Sequence, residues 1–195
     1  MSQAFTVNLA TGTLTPLPDM QMARDRCGLI VYDKVAYVFG GGNEGSAFPI
    51  APCAHTSEAL STAFNSPWER LADMNQPRWR FSPCAWKAEI YLCDALSIEI
   101  FSPESRSFRL VSIPFPQEER EACAYLWQDQ LVVLSHNYTT TIRYVDGRLE
   151  SESSKHALLW KTVAECLPLV WGSRVYWVNR EEVVVVEAKT GEKIG

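Results

Sequence analysis

The stretch Tyr32-Asp33-Lys34-Val35-Ala36-Tyr37-Val38-Phe39 decides the fold, because the same pattern recurs along the chain. It joins an aromatic residue, a short polar turn and an apolar strand. The pattern returns at residues 86–93, 127–134 and 171–178, each time led by tryptophan. A period of about 40 to 55 residues is typical of repeat architectures and not of a single catalytic domain.

Each copy of this pattern belongs to a set of short strands. An apolar strand precedes it, at residues 27–31, 81–85, 123–126 and 167–170. A third β-rich stretch follows at 98–101, 141–145 and 183–186, and a polar turn such as Asp146-Gly147 leads to a fourth short strand. Four antiparallel strands in about 40 to 45 residues form one propeller blade. The sequence therefore predicts an all-β propeller of about four blades with four antiparallel strands each.

The first repeat resembles a kelch repeat in three places. Met22-Ala23-Arg24-Asp25-Arg26-Cys27-Gly28 contains an Arg before the first strand, and Val35-Ala36-Tyr37-Val38-Phe39-Gly40-Gly41-Gly42 ends the second strand on glycines. Trp68-Glu69-Arg70-Leu71-Ala72-Asp73-Met74 contains the Trp of the fourth strand. The resemblance covers almost the full chain, strongest in the first repeat, and implies a kelch-like β-propeller.

The glycine doublet of this motif has a backbone reason. Glycine admits the positive φ that is needed where the second strand leaves the blade. The later repeats lack the doublet, but residues that tolerate a positive φ stand at or next to its place: Asp94, His136 and Asn179. We expect these residues to take over that conformation.

The repeats divide one predicted domain, residues 1–195, into a half blade and four repeats. The half blade takes 1–19 and has only third and fourth strands, and the repeats take 20–74, 75–116, 117–157 and 158–195. Three arrangements stay open: a small ring closed by the N-terminal strand, an open arc, or one segment of a larger propeller. Because soluble proteins cover exposed strand edges, an open arc would pair with another chain, which includes a homodimer through blade edges.

Composition limits the classes of partner. The chain has 195 residues, a formal net charge of −5 and only 18 Lys and Arg residues, which are scattered, so it offers no positive field for phosphates. Its apolar runs, such as residues 183–186, are too short for a membrane helix, and no signal peptide is recognisable. We expect a cytoplasmic protein that binds neither nucleic acid nor membranes. The six cysteines contain no Cys-x-x-Cys pair and are expected to stay reduced.

No motif indicates catalysis, a metal or a cofactor. Gly40-Gly41-Gly42-Asn43-Glu44-Gly45 matches the dinucleotide pattern, but prolines interrupt the helix that a phosphate-binding loop must open. The three histidines, His55, His136 and His156, have no second His or Cys at a zinc-site spacing. We therefore expect no catalytic residue, no metal site and no cofactor.

Two groups are candidate binding residues. Arg24, Arg26, Arg78 and Arg80 precede the first strands of two successive repeats, with Trp79 beside them. Such loops meet on one face of a propeller, so the guanidinium groups would form an anion-binding patch. The alternative is that they brace neighbouring blades through backbone carbonyls. Phe48, in the long insertion at 43–57, would place an apolar group at a rim for a partner, or would fold back on its own blade.

These features favour a non-catalytic module that presents propeller loops to another protein. The prediction rests partly on the kelch resemblance, and a fold alone does not establish a function. Two alternatives stay open. Kelch-like propellers include enzymes, and a sugar-acid mutarotase would use an acid–base group beside arginines such as Arg24 and Arg78. A truncated, degenerate paralogue would have retained no activity.

Overall fold

The secondary structure consists of β-strands and turns wherever the structure describes the chain. The computed structural model describes residues 3–42, 54–61, 66–79, 81–94, 97–112, 122–135, 138–155, 168–178, 183–189 and 194. Within these ranges, no helix is long and apolar enough to cross a membrane.

The strands form a hairpin and four antiparallel sheets, here called blades 1 to 4 in chain order. The N-terminal hairpin consists of β1 (Ala4–Val7) and β2 (Leu14–Leu17). Blade 1 contains β3 (Gly28–Tyr32), β4 (Val35–Phe39), β5 (Ser57–Ser61) and β6 (Glu69–Arg70). Blade 2 contains β7 (Ser82–Trp86), β8 (Glu89–Cys93), β9 (Ile98–Ser102) and β10 (Ser107–Val111). Blade 3 contains β11 (Ala122–Trp127), β12 (Gln130–Ser135), β13 (Tyr138–Val145) and β14 (Arg148–Lys155).

Blade 4 has three strands in the described part of the chain. They are β15 (Leu169–Trp171), β16 (Arg174–Val178) and β17 (Val183–Glu187), and the Ile194 amide donates a hydrogen bond to the Val185 carbonyl at 2.8 Å. Strands that follow each other along the chain pair within every blade. The predicted all-β propeller fold with four blades is confirmed.

The chain divides into two compact units, Met1–Trp79 and Arg80–Gly195. The first contains the N-terminal hairpin and blade 1, and the second contains blades 2 to 4. The division falls close to the predicted end of the first repeat at residue 74. The single domain over 1–195 and its repeat boundaries stay predictions.

The first two strands of each blade are joined by a two-residue turn. In blades 1 to 3 both turn residues have a positive φ without being glycine: Asp33 and Lys34, Lys87 and Ala88, Gln128 and Asp129. This turn type matches the right-handed twist of the paired strands, although the left-handed conformation costs an L-residue about 1 to 2 kcal/mol. Blade 4 places Gly172 there, with a φ of 63°.

The glycine doublet ends β4 for the predicted reason. Gly40 and Gly41 have φ values of 59° and 95°. A Cβ on Gly40 would lie 2.3 Å from the Arg78 carbonyl oxygen, and one on Gly41 would lie 2.7 Å from the Asp25 carbonyl oxygen. Neither position can therefore accept a side chain without moving the backbone.

The expected replacement of the doublet in the second repeat is wrong. Asp94 does not belong to the described residues with a positive φ. Its carboxylate accepts a hydrogen bond from the Ser97 amide at 2.8 Å, so a local side-chain contact closes this loop instead. His136 and Asn179 lie outside the described residues.

Consecutive sheets pack face to face and form the core of the second unit. Blades 2 and 3 share one cluster, which includes Trp86, Tyr91, Ile100, Leu131 and Ile142. Blades 3 and 4 share another, which includes Tyr125, Val132, Val175 and Val186. Each large apolar side chain buried here contributes about 1.5 to 3 kcal/mol to stability.

The first unit has its own core between the N-terminal hairpin and blade 1. Ala4 and Leu17, which face each other across the hairpin, pack against Ala36, Val38 and Leu60 of blade 1. Trp68 belongs to the same cluster and donates its indole hydrogen bond to the Pro18 carbonyl at 2.8 Å. The hairpin is thereby attached to blade 1 by one of its two faces.

Candidate functional site

Arg24, the first of the predicted binding residues, lies inside blade 1. Its guanidinium forms a 2.8 Å ion pair with Glu58, and the two side chains are 0% and 1% exposed. The same group donates hydrogen bonds to the Gly40 and Thr56 carbonyls at 2.8 and 3.0 Å, and to the Thr56 hydroxyl at 2.8 Å. The Arg24 guanidinium therefore acts as a brace for the blade's own backbone.

Glu58 is held equally firmly. One carboxylate oxygen accepts a hydrogen bond from the Gln21 amide at 2.7 Å, and the other accepts one from the Met22 amide at 3.2 Å. Because a buried charge is costly unless it is paired and hydrogen-bonded, this arrangement fixes the chain segment that enters blade 1. It leaves the carboxylate no access to solvent.

Arg78 is also buried, and its backbone fastens the end of the unit. The Arg78 amide donates to the Ala54 carbonyl at 2.9 Å, and its carbonyl accepts from the Gly41 amide at 2.8 Å. Arg78 has the same place relative to β7 that Arg24 has relative to β3. Ser82 pairs with Cys93 in blade 2, and Gly28 pairs with Phe39 in blade 1, so Ser82 and Gly28 are equivalent. Arg78 lies four residues before Ser82, and Arg24 lies four residues before Gly28.

Arg26 and Trp79 form the exposed part of the predicted set. The Arg26 guanidinium lies 5.7 Å from the Trp79 ring centroid, a cation–π distance, and 3.7 Å from the Asp25 carboxylate. Its side chain is 44% exposed. Arg80 and Phe48 lie outside the described residues. The anion-binding patch stays a prediction. Of its described arginines, Arg24 and Arg78 are buried, and Arg26 reaches the surface.

A second cluster, which the sequence analysis did not identify, joins the turns of blades 2 and 3. The Trp86 indole donates a hydrogen bond to Asp129 at 2.7 Å, and the Lys87 ammonium forms a 2.8 Å ion pair with the same carboxylate. These two hydrogen bonds hold the pKa of Asp129 below its usual range. The recurring Trp and the Asp in the next repeat's turn were the signals that could have revealed this contact.

Aromatic rings extend the cluster into the core. The Trp86 ring lies 5.3 Å from the Tyr91 ring and 5.1 Å from the Tyr144 ring, centroid to centroid. The Tyr91 and Tyr144 hydroxyls are 2.8 Å apart, and Arg109 donates to Glu89 at 2.8 Å beside them. Burial raises the pKa of Tyr91, and the hydrogen bond with Tyr144 raises it further. This cluster is a joint between two blades, since its charged groups are paired with each other.

The recurring aromatic residue of blade 4 has a different environment. Trp86, Trp127 and Trp171 each end the first strand of a blade. Trp86 packs against blade 3 and is 4% exposed, and Trp127 packs against the cluster shared with blade 4. Trp171 is 76% exposed.

An apolar face surrounds Trp171, and we call it the open face of blade 4: Leu169, Trp171, Tyr176 and Val183. Strand register places these side chains on one side of the sheet, while Val170, Val175, Val184 and Val186 point to the buried side. Leu169, Trp171 and Val183 are all more than half exposed. Exposed apolar faces of this kind are typical of surfaces that contact another molecule.

The N-terminal hairpin also presents an apolar face. Its outer face consists of Phe5, Val7, Leu14 and Pro16, which the register places on the side opposite Ala4 and Leu17. Phe5 and Val7 are 53% and 52% exposed, and Leu14 is still more exposed. No charged residue occurs between positions 3 and 18.

Among the described residues, no group of three or more His, Cys, Asp or Glu side chains is arranged to hold a metal ion. The described cysteines, Cys27, Cys84, Cys93 and Cys123, form no disulfide with one another. Burial raises the pKa of the Cys84 thiol to about 12, although a hydrogen bond with the Leu126 backbone opposes this effect.

Comparison with known proteins supports the fold and leaves the function open. No protein-family model matches the chain, and no curated protein matches it. A solved structure titled "Structure of YjhT" superposes with a TM-score of 0.69 over 92% of this chain and 67% of that chain, at 9% sequence identity. At this identity the likeness shows a shared fold alone. The kelch family assignment stays a prediction.

Proposed function

We propose that this chain is a non-catalytic protein-binding module whose contact surface is the open face of blade 4. The observation that carries the proposal is the exposure of Trp171, 76% against 4% for the equivalent Trp86. Tryptophan is one of the residue types that most often dominate the binding energy of a protein interface. The partner is therefore a protein with an apolar surface of its own.

The enzyme alternative receives less support from the residues that suggested it. A mutarotase would need an acid–base group that reaches substrate beside an arginine. Glu58, the acidic group in contact with Arg24, is 1% exposed and accepts hydrogen bonds from two backbone amides. The Arg24–Glu58 pair therefore supports a structural role.

A capture experiment with matched variants tests the proposal. Immobilised wild-type chain is compared with Trp171→Ser and with Leu110→Ser, which removes another half-exposed apolar side chain on β10 of blade 2. We expect the same protein to be retained by the wild type and by Leu110→Ser. The amount retained by Trp171→Ser should be at least tenfold lower. Equal retention by all three chains would contradict the proposal.

A further inference from the structure

Blades 2 and 3 show what covers the surface that is equivalent to the open face of blade 4. Strand register makes Cys84, Tyr125 and Leu169 equivalent, and likewise Tyr91, Val132 and Tyr176. On blades 2 and 3 these residues belong to clusters that the following sheet covers. The natural occupant of the open face is therefore one face of another antiparallel sheet.

A sheet that covers the preceding blade contacts it with one side of its strands, and the opposite side faces the following blade. Blade 3 contacts blade 2 through Leu131, Ile142, Tyr144 and Leu149, while Tyr125 and Val132 face blade 4. A sheet that covers the open face must therefore present the side directed away from its own next blade.

The N-terminal hairpin has this type of side. It packs on blade 1 through Ala4 and Leu17, and its outer face is directed away from blade 1. That face is apolar, exposed and without charge, and within the described part of the chain β1 and β2 pair only with each other, which leaves edges of the kind that soluble proteins cover. On the open face of blade 4 the charged residues Arg174 and Glu187 stand opposite each other in register, so no net charge opposes such a contact.

We propose that the open face of blade 4 binds the outer face of the N-terminal hairpin of a second copy of this chain. The contact is head to tail, because each molecule contributes a different face. It repeats the sheet-on-sheet packing that already joins blades 2, 3 and 4. This inference rests on the proposed function, since it names the partner of the same surface.

The experiment uses two variants, each of which removes one of the two faces. Trp171→Asp places a charge on the open face, and Val7→Asp places one on the hairpin's outer face. Light scattering measures the molar mass of each chain across about 1 to 100 µM, a range suited to an interface of modest size. We expect the wild-type mass to rise with concentration above the 22.0 kDa of one chain, and each variant to stay near that value.

Mixing the variants is the decisive step. Val7→Asp retains the open face and Trp171→Asp retains the hairpin face, so the mixture contains one intact pair of faces. We expect a 1:1 complex of twice the single-chain mass. Leu110→Asp is the control, and it should associate like the wild type.

Two results would overturn the inference. A wild-type chain that stays at the mass of one chain throughout, or a mixture that stays at that mass, excludes a head-to-tail contact between copies. Far-UV dichroism checks that each variant is folded, and Leu169→Lys replaces Trp171→Asp if that chain loses its β signal. If capture depends on Trp171 while the chain stays monomeric, the protein-binding function stands and the second copy is the wrong partner.

Discussion

Arg24 and Glu58 determine the local stability of blade 1, because both charges are fully buried. Removing one member of a buried ion pair leaves the other charge uncompensated and costs about 3 to 5 kcal/mol. We expect Glu58→Gln to lower the free energy of unfolding by about 3 kcal/mol, measured by urea denaturation. Asp73→Asn is the control: it breaks the 2.8 Å pair with Arg70, whose side chains are about half exposed, and should change stability by less than about 1 kcal/mol. Equal effects of the two substitutions would contradict the prediction.

The repeats contain an internal indication of this pairing, which can be recognised once the strand register is known. Register makes Glu58 equivalent to Glu99 in blade 2, to Thr140 in blade 3 and to Val184 in blade 4. The first two repeats have Arg24 and Arg78 at the corresponding position before the first strand. The acid and the Arg thus occur in the same repeats, which favours a structural pair over an anion site. Only the observed strand register makes this comparison reliable.

Stability at high pH depends on buried Cys and Tyr side chains, which lose their protons there. Burial raises the pKa of Cys84 from 9.0 to about 12, and it raises the pKa values of Tyr91 and Tyr125 as well. When the pKa of a group is higher in the folded than in the unfolded state, its contribution to stability is fully present at pH values below the unfolded-state pKa. This contribution is lost as pH rises through the folded-state pKa. We expect stability to be constant from pH 7 to 8.5 and to fall between pH 9 and 12.

Urea denaturation at several pH values measures this fall. Cys84→Ala removes one titrating group, so its stability should decline less steeply above pH 9, by up to about 1.4 kcal/mol per pH unit. Parallel curves for the wild type and the variant would show that Cys84 does not contribute.

The turn between β7 and β8 shows how an element tolerates local strain. Ala88 has a φ of 63° and no side-chain group that compensates for this conformation. We expect Ala88→Gly to raise the free energy of unfolding by about 0.5 to 1 kcal/mol, because relief of the left-handed strain exceeds the entropy that glycine loses on folding. Ala85→Gly, within β7, is the matched control and should destabilise by a similar amount. Destabilisation by both substitutions would contradict the interpretation.

At the scale of the element, strands were predictable and their environments were not. The recurring pattern of an aromatic residue, a turn and an apolar strand, led by Trp86 and by Trp171, predicts the same strands and turn in both repeats, and they are present. The recurring Trp and Asp129 could have indicated one contact, but neither stretch reveals that Trp86 is buried beside Tyr144 whereas Trp171 is exposed. That difference depends on which sheet lies next, so it becomes visible only when tertiary contacts are known.

The same distinction applies to the predicted site. Arg24 and Arg78 were selected because they precede equivalent strands, and the structure confirms that equivalence. The burial of Arg24 was not predictable, because it follows from the distant groups Glu58 and Thr56, which approach only after β5 pairs with β4.

The division into two compact units, Met1–Trp79 and Arg80–Gly195, predicts that each unit can open independently. Leu60 is buried in the cluster of the first unit, and Ile100 in a cluster of the second. Shortening either residue to Ala costs about 2 to 5 kcal/mol, and this loss should appear where the contacts are lost. We expect Leu60→Ala to accelerate amide hydrogen exchange within residues 3–79 and Ile100→Ala to accelerate it within 81–189, measured by mass spectrometry. Each variant is the control for the other, since they remove side chains of similar size from equally buried positions. If either substitution accelerated exchange along the whole chain, the four blades would unfold as one cooperative unit, and the core of each blade would then depend on all the others.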